Sequence, residues 1–200
     1  MNIQVLGAHN CESQNSKLVS LLIDDTLAMD ASALTSSLSL EAQQKLKAIL
    51  LTHLHYDHVR DIPAIAMNLF LNSSNINIYT TPSVYDALST HLLNDKIYPN
   101  FFERPKGNPT LKFVAIEPHK TEQIEGYGIL AIPVNHSGHA FGYQVTSPES
   151  KPVFYTGMSV RAWPTAGSMY HLNYLSLKKA PNRYEQGRAS HPKSSGAGTN

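Results

Sequence analysis

The stretch THLHYDH at residues 52–58 constrains this chain more than any other, because four candidate metal ligands directly follow the apolar run AILL. A continuous apolar run of this kind is typical of a strand buried on both faces. His53 and His55 are two residues apart, so in an extended segment their side chains point the same way and can bind one ion together. Asp57 and His58 follow, past a bend, and can bind a second ion.

Zinc is the metal that this ligand set favours. Neutral imidazole and carboxylate are suitable zinc ligands, and an open coordination position leaves room for water. Two ions roughly 3.5–4 Å apart lower the pKa of a bridging water. They also bind both the attacking and the leaving oxygen in a displacement reaction. The alternative is a chance cluster on a surface loop, since the chain has 10 histidines. Four ligands in order at a strand end favour the metal site, with Asp57 as its catalytic carboxylate.

A second apolar strand ends in a histidine within PVNHSGHAFGY, residues 133–143. We expect His136 to be the third ligand of the ion bound by His53 and His55. A histidine at a strand end is by itself more often a hydrogen-bonded structural residue, so this assignment depends on the first motif. His139 either lines a substrate pocket or lies exposed on the loop.

Hydrophobic periodicity predicts strands interleaved with helices and separated by Gly, Pro and Asn turns. Such an alternation is typical of an α/β protein whose sheets are covered by helices. The predicted strands are Ile3–Leu6, Leu18–Ile23, Thr26–Met29, Ala48–Leu51, Ile76–Tyr79, Leu111–Ile116, Gly128–Val134, Phe141–Val145 and Pro152–Tyr155. The predicted helices are Ser39–Lys47, Asp61–Leu71 and Pro82–Leu93.

Length and composition fit one soluble domain. The chain has 200 residues, and no apolar run is long enough to span a membrane. Residues 1–7 lack the charged and apolar regions of a secretory signal. Cys11 is the only cysteine, so no internal disulfide can form, and a cytoplasmic location without a membrane partner is expected.

Through residues 52–58 and His136, the chain resembles the hydrolases of the metallo-β-lactamase fold. Within them it is similar to the branch of transfer-RNA 3′-processing ribonucleases (ribonuclease Z) and small cyclic-nucleotide phosphodiesterases. The resemblance covers residues 1–157 and implies an αββα sandwich with two zinc ions at one edge, between the sheets. LAMD, ending at Asp30, matches the strand whose aspartate orients a ligand histidine in that family. VFYTG, ending at Gly157, matches the strand before the aspartate that bridges both metals.

The chain departs from the family after Gly157. Met158 stands where the bridging aspartate belongs, and a thioether cannot replace a carboxylate between two divalent ions. Neither His171 nor His191 has the strand-end context of the family's last histidine ligand. The sandwich is therefore expected to be incomplete at its C-terminal end.

Residues 158–200 are expected to form an atypical basic tail behind a domain of residues 1–157. From Ser159 onwards the chain has 6 basic residues and 1 acidic residue, and its polar end, rich in Gly and Ser, is typical of disorder. A shifted reading frame is one hypothesis for this change. Codons can be chosen so that the adjacent frame gives an aspartate directly after Gly157 and an apolar strand in place of LSLKK, as a one-nucleotide deletion in the gene or its sequencing would require. The other hypothesis is a genuine tail.

The resemblance implies a zinc-dependent hydrolase that cleaves a phosphodiester with a metal-activated hydroxide, acting on a cyclic nucleotide or an RNA 3′ end. One or two zinc ions are expected here, and a homodimer is compatible with the sequence. Residues 1–158 contain 10 basic and 14 acidic residues without a basic stripe, which favours a small substrate. Four residues flank the predicted metals and are candidate substrate contacts: Tyr56, Arg60, Ser137 and His139.

Two other functions are compatible with the residues. Without the bridging carboxylate, the chain could be a catalytically impaired relic that binds one zinc through its three histidines. The basic tail could instead bind nucleic acid, with Tyr170, Tyr174 and Tyr184 as stacking residues. The shifted-frame hypothesis explains the tail with fewer assumptions.

Overall fold

The computed structural model describes residues 1–136, 140–149, 152–157 and, for the backbone, 170–172. Its first sheet has six strands in the order β1 (Ile3–Gly7), β2 (Ser20–Ile23), β3 (Leu27–Met29), β4 (Ala48–Leu50), β5 (Ile76–Thr80) and β6 (Leu111–Ala115). The first three strands are antiparallel neighbours, whereas β3 to β6 run parallel. The parallel strands therefore end at one common edge, which is where open α/β sheets bind their ligands.

A second sheet packs against the first. Its described strands are β7 (Thr121–Ile124), β8 (Tyr127–Pro133), β9 (Phe141–Thr146), β10 (Pro152–Tyr155) and β11 (Tyr170–Leu172), in the spatial order β11-β10-β9-β8-β7. Neighbours are antiparallel except for β10 and β11, which are parallel. The last strand lies within the stretch that the sequence predicts as a tail, whose other residues lie outside the described ones.

Five short helices connect the strands of the first sheet. They are α1 (Leu34–Ser37), α2 (Leu40–Gln43), α3 (Tyr56–Val59), α4 (Ile62–Leu71) and α5 (Pro82–Ala87), which continues as a π-helical turn over Leu88–Leu92. Side chains cap two of them: Ser39 accepts from the amide of Ala42 at the start of α2, and Thr81 accepts from the amide of Val84 at the start of α5. No helix within the described residues is long and apolar enough to cross a membrane.

The apolar run before the histidine motif is buried on both faces, as its sequence indicates. Ile49 and Leu51 point into the core between the first sheet and the helices, where α4 contributes Ile62, Ile65 and Leu69. Ala48 and Leu50 point into the core between the two sheets. Because both faces of β4 are packed, its end holds the histidine motif that follows it in a fixed position.

Several predicted boundaries differ from the structure. The helix expected to reach Lys47 ends at Gln43, because the amide of Lys47 instead donates to the carbonyl of Thr26 and leads the chain into β4. The helix expected over 82–93 changes to π geometry at Leu88, whose carbonyl accepts from the amide five residues on. Strand β7 was not predicted, because its sequence TEQI is mostly polar at the sheet edge.

Candidate metal centre

The candidate ligands meet at the carboxyl ends of β3 and β4. Pairing of Met29 with Leu50 places Asp30 beside the end of β4, and the amide of Asp30 donates to the carbonyl of Leu50 at 2.9 Å. The segment after β4 is joined to the second sheet, because the amide of Phe141 donates to the carbonyl of Thr52 at 2.9 Å. Loops from both sheets therefore face each other across this edge.

His53, His55 and His136 form a cluster of three converging imidazoles, which we call the histidine cluster. Nδ1 of His55 lies 3.1 Å from Nε2 of His53 and 3.1 Å from Nε2 of His136. One nitrogen from each ring lies within 4.8 Å of the others. His53 is buried, His136 is half-buried and His55 is exposed, so the cluster opens to solvent on one side.

The spacing of these nitrogens fits a tetrahedral cation. Ligands at about 2.0–2.1 Å from a zinc ion in tetrahedral geometry are about 3.3 Å apart, close to the spacing in the cluster. The residues present therefore fit a metal with three histidine ligands and an open position.

Asp57 and His58 form a second group on α3, which we call the Asp57–His58 pair. Oδ2 of Asp57 lies 3.5 Å from Nε2 of His58. Both atoms are buried, and neither has a hydrogen-bond partner among the described residues. Buried polar atoms without partners carry a free-energy cost, which a divalent cation between them would offset.

Asp30 anchors the base of the centre. Its fully buried carboxylate accepts from the amide and the hydroxyl of Thr52, at 2.9 Å each, and from the hydroxyl of Tyr155 at 2.8 Å. Nδ1 of His58 lies 2.7 Å from the same carboxylate. With its Nδ1 hydrogen directed at Asp30, His58 presents Nε2 to the site. This is the orientation that the family resemblance implies for a ligand histidine.

The local electrostatics shift the pKa values of His53 and His58 in opposite directions. Burial by itself lowers the pKa of His58, but the Asp30 carboxylate outweighs burial and raises it. Burial likewise opposes ionisation of Asp30, yet His58 holds the pKa of Asp30 below its ordinary value. Burial, followed by the charge of His58, lowers the pKa of His53 to about 3. His53 is therefore neutral at pH 7, as a metal ligand must be.

The predicted substrate contacts differ in their surroundings. Tyr56 is 66% exposed at the start of α3, next to the ligands. Arg60 is engaged in ion pairs with Glu12 and Asp61, and its Nε lies 2.9 Å from the Asp61 carboxylate. Ser137, His139 and Met158 lie outside the described residues.

Sequence reasoning missed two residues that touch the anchor. Thr52 is the first residue of the histidine motif, directly after the predicted strand Ala48–Leu51, and its sequence context indicates no role for its hydroxyl. Tyr155 reads as an apolar core residue, and its hydroxyl partner comes from the other sheet. Tyr143 makes a comparable bond across the sandwich, from its hydroxyl to the carbonyl of Leu51 at 2.8 Å. Which polar group each of these three hydroxyls contacts is decided by the tertiary structure, and no local sequence pattern indicates it.

Comparison with known protein families gives one match that covers most of the chain. The family described as Beta-lactamase superfamily domain matches residues 22–178. Among curated proteins, none matches the sequence at a significant level.

Three named proteins are among the solved structures that share this fold. The metallo-beta-lactamase fold protein YhfI from Bacillus subtilis is 20% identical, with a TM-score of 0.61 over 79% of this chain and 64% of its own. Unliganded yeast PDE1 is 14% identical, with a TM-score of 0.67 over 83% of this chain and 67% of its own. Human tRNase Z, short form (ELAC1), is 16% identical, with a TM-score of 0.56 over 78% and 69%.

These similarities show the fold. The expected α/β class with the metallo-β-lactamase fold is confirmed. The chain spans about two thirds of the length of the solved structures that it matches: 64% of the Bacillus protein and 67% of the yeast protein.

Proposed function

The chain belongs to the beta-lactamase superfamily, and on that premise we propose that it binds zinc at the histidine cluster and hydrolyses a phosphodiester. Members of this fold among the structural neighbours include hydrolases by name, and the histidine cluster lies at the edge that the family resemblance implies for the metals. The zinc ion, the substrate class and the activity of this chain are parts of the proposal.

The observation that carries the proposal is the convergence of candidate ligand atoms from the histidine cluster and the Asp57–His58 pair at one edge. In the histidine cluster, Nδ1 of His55 lies 3.1 Å from Nε2 of His53 and 3.1 Å from Nε2 of His136. The Asp57–His58 pair adds two buried atoms without partners among the described residues. Imidazole nitrogen and carboxylate oxygen together favour zinc over magnesium or calcium, which prefer oxygen ligands alone.

Each residue has a separate task in this proposal. Zinc, when bound, supplies a water of lowered pKa and a Lewis acid for a phosphoryl oxygen. The histidine cluster holds one ion and leaves its solvent-facing side open for substrate. The Asp57–His58 pair holds the other, with Asp57 as the carboxylate nearest the reacting atoms. Asp30 keeps Nε2 of His58 turned towards the site.

The choice of a phosphodiester is supported by the neighbours' names. Yeast PDE1 and human tRNase Z are named as a phosphodiesterase and a transfer-RNA nuclease. A cyclic nucleotide and an RNA 3′ end are therefore both candidate substrates. The acidic balance of residues 1–158 favours the smaller one, because RNA binding relies on basic residues.

A second candidate is a protein that binds one zinc without turnover. The observation in its favour is the imbalance between the two groups, since three donors face the first ion and two face the second among the described residues. Met158 stands at the position where a bridging carboxylate is expected. A second ion short of one ligand would activate water poorly.

Metal content and phosphodiester hydrolysis, measured on the same sample, separate these candidates. The whole chain is assayed for zinc per chain and for hydrolysis of bis(p-nitrophenyl) phosphate, beside His55→Ala and the control His91→Ala, an exposed histidine on the π-helical turn. Zinc with turnover, lost in His55→Ala and kept in His91→Ala, supports the hydrolase. One zinc without turnover supports the second candidate, and Met158→Asp then tests the missing carboxylate. No zinc at all would contradict both.

A further inference from the structure

We propose that Thr52 is a positioning residue whose hydroxyl links the Asp30 carboxylate to His53 and thereby selects the ring nitrogen that His53 offers to the metal. The inference rests on the proposed zinc site and deepens it. It concerns a residue between the Asp30 anchor and the histidine cluster, whose hydroxyl lies within hydrogen-bond distance of both.

The Thr52 hydroxyl touches both partners at hydrogen-bond distance. Oγ1 lies 2.9 and 3.0 Å from the two oxygens of Asp30 and 3.0 Å from Nδ1 of His53. A threonine hydroxyl has a single hydrogen to donate, and it can accept at its lone pairs. The direction of its hydrogen therefore decides the role of Nδ1 in His53.

The surroundings of Asp30 give that direction. The carboxylate also faces the Thr52 amide and the Tyr155 hydroxyl, both of which donate, and Nδ1 of His58. A carboxylate that accepts from every side attracts the Thr52 hydrogen too, because hydrogen bonds to an ionised acceptor are roughly twice as strong as neutral ones. The hydroxyl oxygen then has only lone pairs for His53.

The consequence is a fixed tautomer for His53. If Oγ1 accepts, Nδ1 of His53 must carry the hydrogen, and Nε2 is left as a bare lone pair. Nε2 is the atom that lies 3.1 Å from His55 and faces the cluster. In zinc proteins the nitrogen that a histidine does not offer to the metal is commonly held in this way, and such partners also fix the orientation of the ring.

The position of Thr52 is itself closely constrained. Its side chain is 1% exposed, and its carbonyl accepts from the amide of Phe141 in the second sheet. Gly157 lies against it with φ of +61°, and a Cβ at that glycine would be 2.9 Å from Oγ1. The hydroxyl is therefore held between the end of β10, the anchor and His53.

The first test reads the tautomer directly. Long-range 1H–15N NMR spectra of the histidine side chains, on the whole metal-free chain at pH 7.5, report which nitrogen of His53 carries hydrogen; His53→Asn assigns the signal. We expect the Nδ1–H form. The Nε2–H form would overturn the inference. Because this reading needs no metal, it decides the inference even if the protein binds no zinc and the proposed function fails.

The second test compares Thr52→Val with Thr52→Ser. Valine keeps the shape and removes the hydroxyl, whereas serine keeps the hydroxyl. We expect Thr52→Val to lose roughly 10–100-fold in zinc affinity, measured by competition with a chromophoric chelator, and to give mixed His53 tautomers. Thr52→Ser should retain the Nδ1–H form and most of the affinity. If Thr52→Val folds, by circular dichroism, and keeps both affinity and tautomer, Thr52 is a packing residue only. If it does not fold, the tautomer of the parent chain remains decisive.

Discussion

The histidine cluster and the Asp57–His58 pair lie side by side and are built in opposite ways. The cluster takes His136 from the loop after β8 and its other two rings from the loop after β4, so it crosses both sheets. The pair comes from the single turn α3. The cluster opens to solvent through the exposed His55, whereas the pair contains a fully buried histidine that is hydrogen-bonded to the Asp30 anchor.

The two groups of candidate ligands are therefore held in place by different contacts. The pair is held by its own neighbourhood: the amide of Ala31 donates to the carbonyl of His58, and the amide of Val19 donates to the carbonyl of Asp57. The cluster depends on how closely the two sheets approach, which the hydroxyls of Tyr143 and Tyr155 help to set. Damage to the Asp30 anchor should therefore reduce the stability of the fold, whereas loss of an exposed cluster histidine should mainly weaken metal binding.

The largest effect is expected at the anchor. In Asp30→Asn, the amide group would face the Thr52 amide, the Tyr155 hydroxyl and Nδ1 of His58, which all need an acceptor. Removing one partner of a buried ion pair typically costs about 3–5 kcal/mol, and we expect a loss of this size in the free energy of unfolding by urea.

Asp25→Asn is the matched control for that change. Asp25 has φ of 60° and Asp30 has φ of 56°, so asparagine meets the same backbone conformation at both, but Asp25 is exposed in a turn. The control should stay within about 0.5 kcal/mol of the parent chain. A loss below about 1 kcal/mol in Asp30→Asn would contradict the role of the anchor, since even a single buried unsatisfied group usually costs that much.

The next effect distinguishes the two groups by metal binding. His55→Ala removes the nitrogen that the other two rings of the cluster face, so we expect the tightest zinc site to weaken by at least about 100-fold, the upper end of what outer-shell changes cause. Asp57→Asn should leave that site intact and remove only weaker binding. Isothermal titration with zinc measures both. Equal weakening in the two variants would show that the centre is one site rather than two.

An intermediate effect concerns pH in the metal-free protein. The pKa of His53 is lowered to about 3, so below about pH 6.5 the unfolded chain takes up a proton that the folded chain does not. Stability should therefore fall as the pH drops from 6.5 towards 3, by up to about 1.4 kcal/mol per pH unit from this residue. His58 acts in the opposite sense: its raised pKa gives a contribution that is present below pH 6.5 and is lost as the pH rises.

Urea unfolding in EDTA at pH 6.5 and 5.0 measures the net change in stability that the opposing contributions of His53 and His58 produce. His53→Asn should lose less stability than the parent chain between these two values, and His91→Asn, an exposed control, should behave like the parent. An unchanged slope in His53→Asn would mean that His53 accepts a proton in the folded state, contrary to its burial.

The smallest effect is expected at the Glu12–Arg60 ion pair on the surface. Glu12 forms an ion pair with Arg60, but its side chain is largely solvated, and Arg60 keeps Asp61 as a second partner. Exposed ion pairs typically contribute less than about 1 kcal/mol, so Glu12→Gln should change the free energy of unfolding by no more than that. A larger loss would contradict the treatment of this ion pair as a solvent-screened surface contact.

Much of the centre could be predicted because its parts are local in sequence. A strand apolar on both faces, followed by histidines two residues apart, indicates a buried strand end that presents two rings, and the structure has this arrangement at β4. The end of a second apolar strand indicated His136, and the resemblance named Asp30. The turn α3 was expected only as a bend, because four residues give no helical period to detect.

What could not be predicted depends on contacts between the sheets. Thr52 and Tyr155 are 103 residues apart in the chain, yet both donate to the same carboxylate. Periodicity places Tyr155 in a strand and in a core, but it does not say which polar group its hydroxyl meets. Nor does it give the ends of α2, where a backbone hydrogen bond to Thr26 overrides good helix formers.

By itself the sequence determined the kind of centre: the donor atoms, their order along the chain and the strand that carries most of them. It could do so because a ligand motif needs only residue types and short spacings, which are properties of one segment. Only the tertiary structure decided which nitrogens converge, which donor atoms remain unpaired and which hydroxyls hold them. Those outcomes follow from the distance and register between two sheets, and that distance is fixed by the packing of side chains from many separate strands.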